Sequence, residues 1–488
     1  MMAVSLYTSR VVLNALGVED FGIYNVVGGV VAMFTVLSGS LSAAISRFIT
    51  YELGKGNQEN LNKIFSSAVT IQIGLAGIII LLAETIGIWF LNVKMNIPEM
   101  RMEAANWVFQ FSILTFVINL ISVPYNASII AHEKMSAFAY ISILEAIGKL
   151  AIAYLIVVSP MDKLIFYAIL MCVVALIVRF TYGNYCKRHF SECTYHFIWD
   201  KQLLKQMFGF AGWNFIGAAS AVLRDQGGNV VINLFCGPTV NAARGIAFQV
   251  NTAVNQFVTN FMTALNPQIT KSYAAENKEY MMTLIFQGAR LSFYMLLLLS
   301  LPILVNTHYI LELWLKIVPE HAVLFVQLVL IFAMSESISQ PLITAMLATG
   351  KIRNYQIIVG GLQMTNLPIS YLLLRLGFFP EIVIIVAICI SQCCLAARLV
   401  LLRGMIGVSI RKYLQKVYFN ILTVSAIAIV LPLISTQYID ETFIGFIIVS
   451  LIAVVCTIIS IYFIGCNRQE RQFIHQKLDT IRTKITRK

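Results

Sequence analysis

One stretch, 239–266, carries Asn241, Arg244, Gln249, Asn251, Thr252, Asn255, Gln256, Thr259, Asn260, Thr263 and Asn266, and no carboxylate. From Asn241, the residues Arg244, Phe248, Asn251 and Asn255 follow at 3, 7, 10 and 14 positions, the period of one helix face. Amides suit a hydroxyl-rich ligand, and a guanidinium fork suits phosphate oxygens. A second stripe of small and polar residues runs through Asn214, Ala218, Ala221, Arg224, Asp225 and Gly228, and a third through Asn25, Thr35, Ser38, Ser42, Ser46 and Arg47. These stripes make Arg224, Arg244, Asn214, Asn241, Asn251, Asn255 and Arg47 the candidates for contact with an anionic, polar ligand. Each arginine also has a plainer reading. Arg224 has Asp225 beside it as a local partner, Arg244 lies near a helix end from which it can snorkel, and Arg47 and Arg290 lie where headgroups or a gate would meet them.

Carboxylates in apolar surroundings are few. Glu336 stands among Ser335, Ser337 and Ser339, a setting for a proton or cation, and Asp225 is a second candidate for ion coupling. Glu145 and Lys149, four apart, predict an internal ion pair with a structural role, whereas Glu84 is ambiguous. There is no Walker loop, zinc-ligand spacing or nucleophile elbow, and the nine cysteines read as free thiols. The chain therefore reads as a non-enzyme without a metal or cofactor, apart from a coupling H⁺ or Na⁺. Without a nucleotide site it cannot act alone as a primary pump.

The elements that must position these residues are transmembrane helices. Of 488 residues, 59% are hydrophobic and 12% charged, about half the charge of a soluble chain. Apolar runs near the ~20 residues that cross a bilayer recur from end to end. After a first fragment they fall near 21–46, 64–91, 104–130, 136–158, 163–186, 205–235, 239–266, 283–306, 321–347, 354–375, 380–403, 413–433 and 443–465. Strict apolar–polar alternation is absent, so a β-barrel is not expected. The fold class is all-α integral membrane, with fourteen spans. The net charge of +12 sits mostly in connections and in the last two dozen residues, which argues against nucleic acid as a partner.

Alternate connections differ sharply in basic residues. One set includes Lys55, Lys63, Lys134, Lys187, Arg188, Lys201, Lys205, Lys271, Lys278, Lys351, Arg353, Arg403, Arg411, Lys412 and Lys416, and the opposite set only Arg10, Lys94, Arg101, Lys163, Lys316 and Arg375. The positive-inside rule makes the first set, and both termini, cytoplasmic. In the tail, Ile474, Leu478, Ile481 and Ile485 recur at helical spacing among basic residues, a pattern that fits either an amphipathic helix on anionic headgroups or a solvated tail.

A repeat is also visible. Val11-Val12-Leu13-Asn14 answers to Val230-Val231-Ile232-Asn233, Ile49-Thr50 to Ile269-Thr270, and Ile64-Phe65-Ser66-Ser67-Ala68 to Ile285-Phe286-Gln287-Gly288-Ala289. The offset of 219 to 221 residues contains six spans, so the copies share one orientation. The expected organisation is an N-terminal lobe over 1–190, a C-terminal lobe over 200–404, two additional helices over 410–465 and a basic amphipathic tail over 466–488. The helices carrying the polar stripes should then flank a cleft between lobes. In the repeat register the chain enters its first helix midway, which predicts a truncated first helix too short to span.

The run Ser9-Arg10-Val11-Val12-Leu13-Asn14-Ala15-Leu16-Gly17-Val18-Glu19-Asp20-Phe21-Gly22-Ile23-Tyr24 resembles the opening of bacterial O-antigen and polysaccharide flippases. Gly237-Pro238-Thr239-Val240-Asn241-Ala242-Ala243-Arg244-Gly245-Ile246-Ala247 and Asn266-Pro267-Gln268-Ile269-Thr270-Lys271-Ser272-Tyr273 carry the same resemblance. Those proteins belong to the multidrug/oligosaccharidyl-lipid/polysaccharide exporter superfamily, with its MATE-like fold. The resemblance implies two six-helix lobes rocking around a cationic cavity. The implied substrate is an undecaprenyl-pyrophosphate-linked oligosaccharide, an O-antigen or capsule repeat unit, flipped across the bacterial inner membrane. The implied partners are membrane lipids, a polysaccharide polymerase and glycosyltransferases. The main rival is a Na⁺- or H⁺-coupled multidrug or toxin antiporter of the same fold. A flippase for the peptidoglycan lipid precursor and a non-transporting scaffold are further alternatives.

Overall fold

The computed structural model describes residues 8, 11–12, 15–17, 20, 23–24, 27, 35–93, 97–159, 161–316, 318–468, 470–472 and 476. Much of the short first helix expected from the repeat, and most of the basic tail, lie outside them. Every regular element among the described residues is helical, and ten helices are long and apolar enough to cross a membrane. The chain is a multi-pass, all-helical membrane protein. The ten fall short of fourteen partly through polarity, because the 74-residue helix Lys201–Ala274, which contains two of the expected spans, is not among them.

By contacts the chain divides into unit 1, Met1–Ala219 with Thr270–Glu276, and unit 2, Ser220–Ile269 with Asn277–Lys488. Unit 1 contains α1 (Thr35–Lys55), α2 (Gln58–Leu82), α3 (Met102–Ala131), α4 (Met135–Leu155) and α5 (Lys163–His189). Its core is built on the α3 face Ala105, Val108, Phe109, Ile113 and Leu120, with Ile79 of α2 and Leu164 of α5. On α4 the residues Tyr140, Ile143, Leu144 and Ile147 are exposed at helical spacing, an apolar stripe suited to acyl chains. Gly54 lets the end of α1 touch backbone. A Cβ there would lie 2.8 Å from the Lys271 Cα.

Lys201–Ala274 (α6) starts where the Asp200 carboxylate accepts from the Gln202 and Leu203 amides. Its two arms meet at Gly237, at φ 80°, where a side chain is disfavoured. Pro238 follows and has no N–H to continue the ladder. The gap expected between spans, between 235 and 239, falls here.

Unit 2 continues with α7 (Lys278–Val305), α8 (Thr307–Leu315), α9 (Ala322–Ser337), α10 (Gln340–Thr349), α11 (Asn366–Arg375), α12 (Ile382–Ile406), α13 (Phe419–Tyr438) and α14 (Phe443–Ser460). The span expected over 321–347 is found over Ala322–Thr349, with a local break between α9 and α10. Pro341, at the start of α10, cannot bond back into α9. The Tyr413 hydroxyl donates to the Ile338 carbonyl at the break, at 3.0 Å. The region before α11 is also irregular, with a π-helical turn over Gln356–Gly360. The Gly360 backbone there packs so closely that a Cβ would lie 3.1 Å from the Ser220 hydroxyl.

Candidate functional site

Both arms of α6 bring guanidinium groups to Asp225, within unit 2. Asp225 Oδ1 accepts from Arg224 Nε at 2.9 Å, and the Asp225 backbone carbonyl accepts from Arg244 Nη2 at 2.9 Å. Arg244 Nη1 also donates to Asn229 Oδ1. The Arg244 guanidinium lies 4.2 Å from the Phe248 ring centre, and that of Arg224 lies 5.0 Å from Phe332 of α9. Gly228 makes room, since a Cβ there would stand 3.2 Å from Arg244 Nη2. The residue types explain the grouping. Asp225 offers both a carboxylate and a carbonyl, and a buried guanidinium must fill its five donor positions from whatever surrounds it.

Arg244 is 4% exposed, so the snorkelling reading is not what the structure shows. For Arg224 the local reading holds, because its described carboxylate partner is Asp225. Two atoms remain unsatisfied on this face. Arg244 Nε and Asn241 Oδ1 are buried without a hydrogen-bond partner, a donor and an acceptor three residues apart. Further along, Asn255 Nδ2 donates to Asn251 Oδ1 at 2.5 Å. The threonines on this arm bond back to the helix, Thr252 to Phe248 and Thr259 to Asn255. Gln256 and Asn260 are exposed and bonded to each other at 3.2 Å.

Glu336, near the end of α9, terminates a chain of donors. Tyr418 donates to Gln392, Gln392 to Ser335 at 2.6 Å, Ser335 lies 3.0 Å from Ser391, and Ser391 donates to Glu336 Oε1 at 2.5 Å. The bonds come from α12 and not from the neighbouring serines of α9. Ser337 bonds to the Met334 carbonyl instead. Arg224 is in electrostatic reach of Glu336, and so is a residue the sequence reading passed over, Arg398. Arg398 is 1% exposed, is hydrogen-bonded to Tyr355, and has Nε and Nη1 buried without a partner. A lone arginine in the middle of an apolar run of α12 was the available signal. Arg224, Arg244 and Arg398 of unit 2 thus lie around two partly exposed carboxylates, Asp225 and Glu336.

Arg47 and Asn214 belong to unit 1. Arg47 is wrapped by rings, 4.6 Å from the centre of Tyr51, 4.8 Å from Phe48 and 5.7 Å from Phe210, while Asn214 is half-buried on α6. Arg290 corrects its expected headgroup or gate role. It is buried, donating to the Gly465 carbonyl at 2.9 Å and to Glu470 at 2.5 Å, and so ties the chain beyond α14 to α7. The Glu145–Lys149 pair forms at 2.6 Å, but both side chains are more than 40% exposed, so it is not internal. Among the described residues no cluster of His, Cys, Asp or Glu is placed to hold a metal ion.

Residues 3–273 match the family model described as "Polysaccharide biosynthesis protein". A curated relative, the "Uncharacterized membrane protein EpsK" of Bacillus subtilis, is 19% identical over 301 residues, 61% of this chain and 58% of that protein. The chain thus matches less than two thirds of that relative's length. Among solved structures, an outward-facing multidrug resistance MATE family transporter of the MOP superfamily superposes with a TM-score of 0.70 at 14% identity, over 83% of this chain and 92% of the other. A MOP superfamily transporter from Pyrococcus furiosus, described as having a binding pocket of reverse polarity that suggests a different function, gives 0.67 at 14% identity over 83% and 92%. A mutant of the Vibrio cholerae MATE transporter VcmN gives 0.67 at 16% identity over 83% and 93%. The fold is that of MATE transporters.

Proposed function

We propose, for a chain that belongs to the polysaccharide biosynthesis protein family, the translocation of a lipid-linked oligosaccharide across the bacterial inner membrane by alternating access. The cargo is an undecaprenyl-pyrophosphate-linked repeat unit of O-antigen or capsule type. The observation that carries this reading is the pairing of Arg224 and Arg244 at Asp225, on a helix whose second arm holds polar amides and no carboxylate. Guanidinium groups suit a pyrophosphate. The amides Asn241, Asn251 and Asn255 suit glycan hydroxyls, and Asn214 and Arg47 are the unit 1 residues assigned to the same substrate. A polyprenyl tail needs only lipid. The pocket of reverse polarity attributed to the Pyrococcus furiosus protein gives a precedent for one fold serving cargo of opposite charge.

The second reading is a Na⁺- or H⁺-coupled drug or toxin antiporter, favoured by one observation, the half-buried carboxylate of Glu336 at the end of its donor chain. In the first reading Glu336 and Asp225 serve ion coupling. The discriminating experiment is flipping of a fluorescent undecaprenyl-pyrophosphate-linked oligosaccharide by the purified protein in liposomes. Arg224→Ala and Arg244→Ala should each slow it by about tenfold or more, the loss of one charged hydrogen bond of ~1.5–3 kcal/mol. Equal rates at matched reconstitution would reject the assignment. Glu336→Gln should change the pH or Na⁺ dependence of the same assay.

A further inference from the structure

The repeat offset relates two ion pairs that the polar stripes do not include. In unit 1, Arg101 and Asp162 immediately precede α3 and α5, and Arg101 Nη1 donates to Asp162 Oδ2 at 2.5 Å. His321 lies 220 residues beyond Arg101, and Glu381 lies 219 beyond Asp162. They immediately precede α9 and α12 of unit 2, and His321 Nδ1 lies 2.6 Å from Glu381 Oε1. Both pairs therefore join the N-terminal ends of corresponding helices. They differ in chemistry. Arg101 is charged at every pH and grips a second carboxylate, Asp20, whereas an imidazole changes charge between about pH 5 and 8.

We propose that His321 and Glu381 form a proton-binding site that makes this end of unit 2 responsive to pH, where the corresponding end of unit 1 is not. Glu381 is 2% exposed, so its carboxylate needs a counter-charge, while the His321 side chain, 30% exposed, is open to protons from outside the protein. With both ring nitrogens protonated, the imidazolium completes a charge-assisted pair. With one proton the neutral ring leaves a buried carboxylate with an N–H partner but no cation. His321 also holds φ at 69°, an uncommon backbone conformation that the tie to Glu381 helps to fix. The other ionisable groups nearby are few. Glu320 lies 4.0 Å from His321 with its side chain exposed, and the Cys236 thiol of α6 is in electrostatic reach of Glu381. Thr307–Leu315, which packs on α9, brings His308 and Glu312 and ends beside Lys316, and His308 faces Glu441 at 3.9 Å. α11, packed on α12, ends at Arg375. Positive-inside reading of the loops puts this end outside. The site is independent of what the chain carries.

Amide hydrogen exchange on the full chain in lipid nanodiscs tests this. Protection factors over residues 322–325 and 382–385 should fall about fivefold between pH 5.5 and 8, the ~1 kcal/mol by which a charge-assisted hydrogen bond exceeds a neutral one. His321→Arg, which installs the unit 1 chemistry, should hold protection constant across that range. Glu381→Gln should also remove the slope, whereas His308→Gln should keep it. Flat protection in the unmodified protein would overturn the proposal. So would an unchanged slope in His321→Arg or Glu381→Gln, or loss of the slope in His308→Gln.

Discussion

The interiors of the two units solve one problem in different ways. In unit 1 the Arg47 guanidinium sits against the faces of Phe48, Tyr51 and Phe210, and Arg179 lies 3.9 Å from the ring centre of Tyr125. In unit 2 Arg224, Arg244, Arg290 and Arg398 meet carboxylates, amides, carbonyls and a phenol. Rings cushion a charge without fixing its direction, because a quadrupole attracts over a broad face. Hydrogen bonds aim it. Among these aimed charges, Arg244 and Arg398 keep donors buried without a hydrogen-bond partner.

If that contrast is right, the largest effect belongs to Arg398. Arg398→Ala should destabilise the protein by about 3–5 kcal/mol, because it empties a fully buried site and leaves Tyr355 and the half-buried Glu336 with less counter-charge. Unfolding of purified protein in detergent, followed by tryptophan fluorescence, measures it. Arg398→Met combined with Glu336→Leu should cost distinctly less than Arg398→Ala, since removing both charges removes the desolvation they carry. A loss below ~1 kcal/mol in Arg398→Ala would erase the distinction between the units, since a buried, aimed charge should cost several times that.

Why Arg398 escaped the sequence reading is instructive. Hydropathy located α12 well, with 380–403 expected and Ile382–Ile406 observed, because burial in lipid leaves a strong mark on composition. The break at Gly237-Pro238 was legible in the same way, as the gap in hydropathy between 235 and 239. The polar stripe of α6 was also legible, because it repeats along one helix. Arg398 is a single residue whose partner Tyr355 is 43 positions away on another segment. Arg290 and Glu470 are 180 apart. No periodicity encodes such pairs. What did transfer across distance was the repeat, which connects Arg101–Asp162 with His321–Glu381 once the structure shows both pairs formed.

Arg47 provides the intermediate case. Arg47→Met keeps much of the side-chain length among the rings but removes the charge, at a cost of about 1–2 kcal/mol for cation–π contacts in a largely desolvated place. The same detergent unfolding experiment reads it. A cost as large as that of Arg398→Ala would mean that unit 1 also depends on a directed charge, and the contrast between the interiors would fail.

The smallest effect concerns Glu192, which lies in the connection after α5 and shows that unit 1 does use a directed pair away from its membrane-spanning segments. Its carboxylate meets His132 at 2.5 Å and Gln58 at 3.2 Å, and the His132 ring stacks on Phe190 with centres 4.0 Å apart. Burial pushes the Glu192 carboxyl up, but the His132 hydrogen bond and its charge, with help from Gln58, hold it below its ordinary range. Its folded form therefore binds a proton less readily than its unfolded form. The stabilisation it supplies is complete above the ordinary glutamate value of about 4.3 and is lost as pH falls through the lower folded value. Glu192→Gln should cost ~1 kcal/mol near neutral pH, the difference between a charged and a neutral hydrogen bond. It should also flatten the acid limb of stability against pH. An unchanged acid limb would show that the His132–Glu192 contact does not differ between folded and unfolded chains, and would leave the Arg101 pairs as the directed charges at the ends of unit 1.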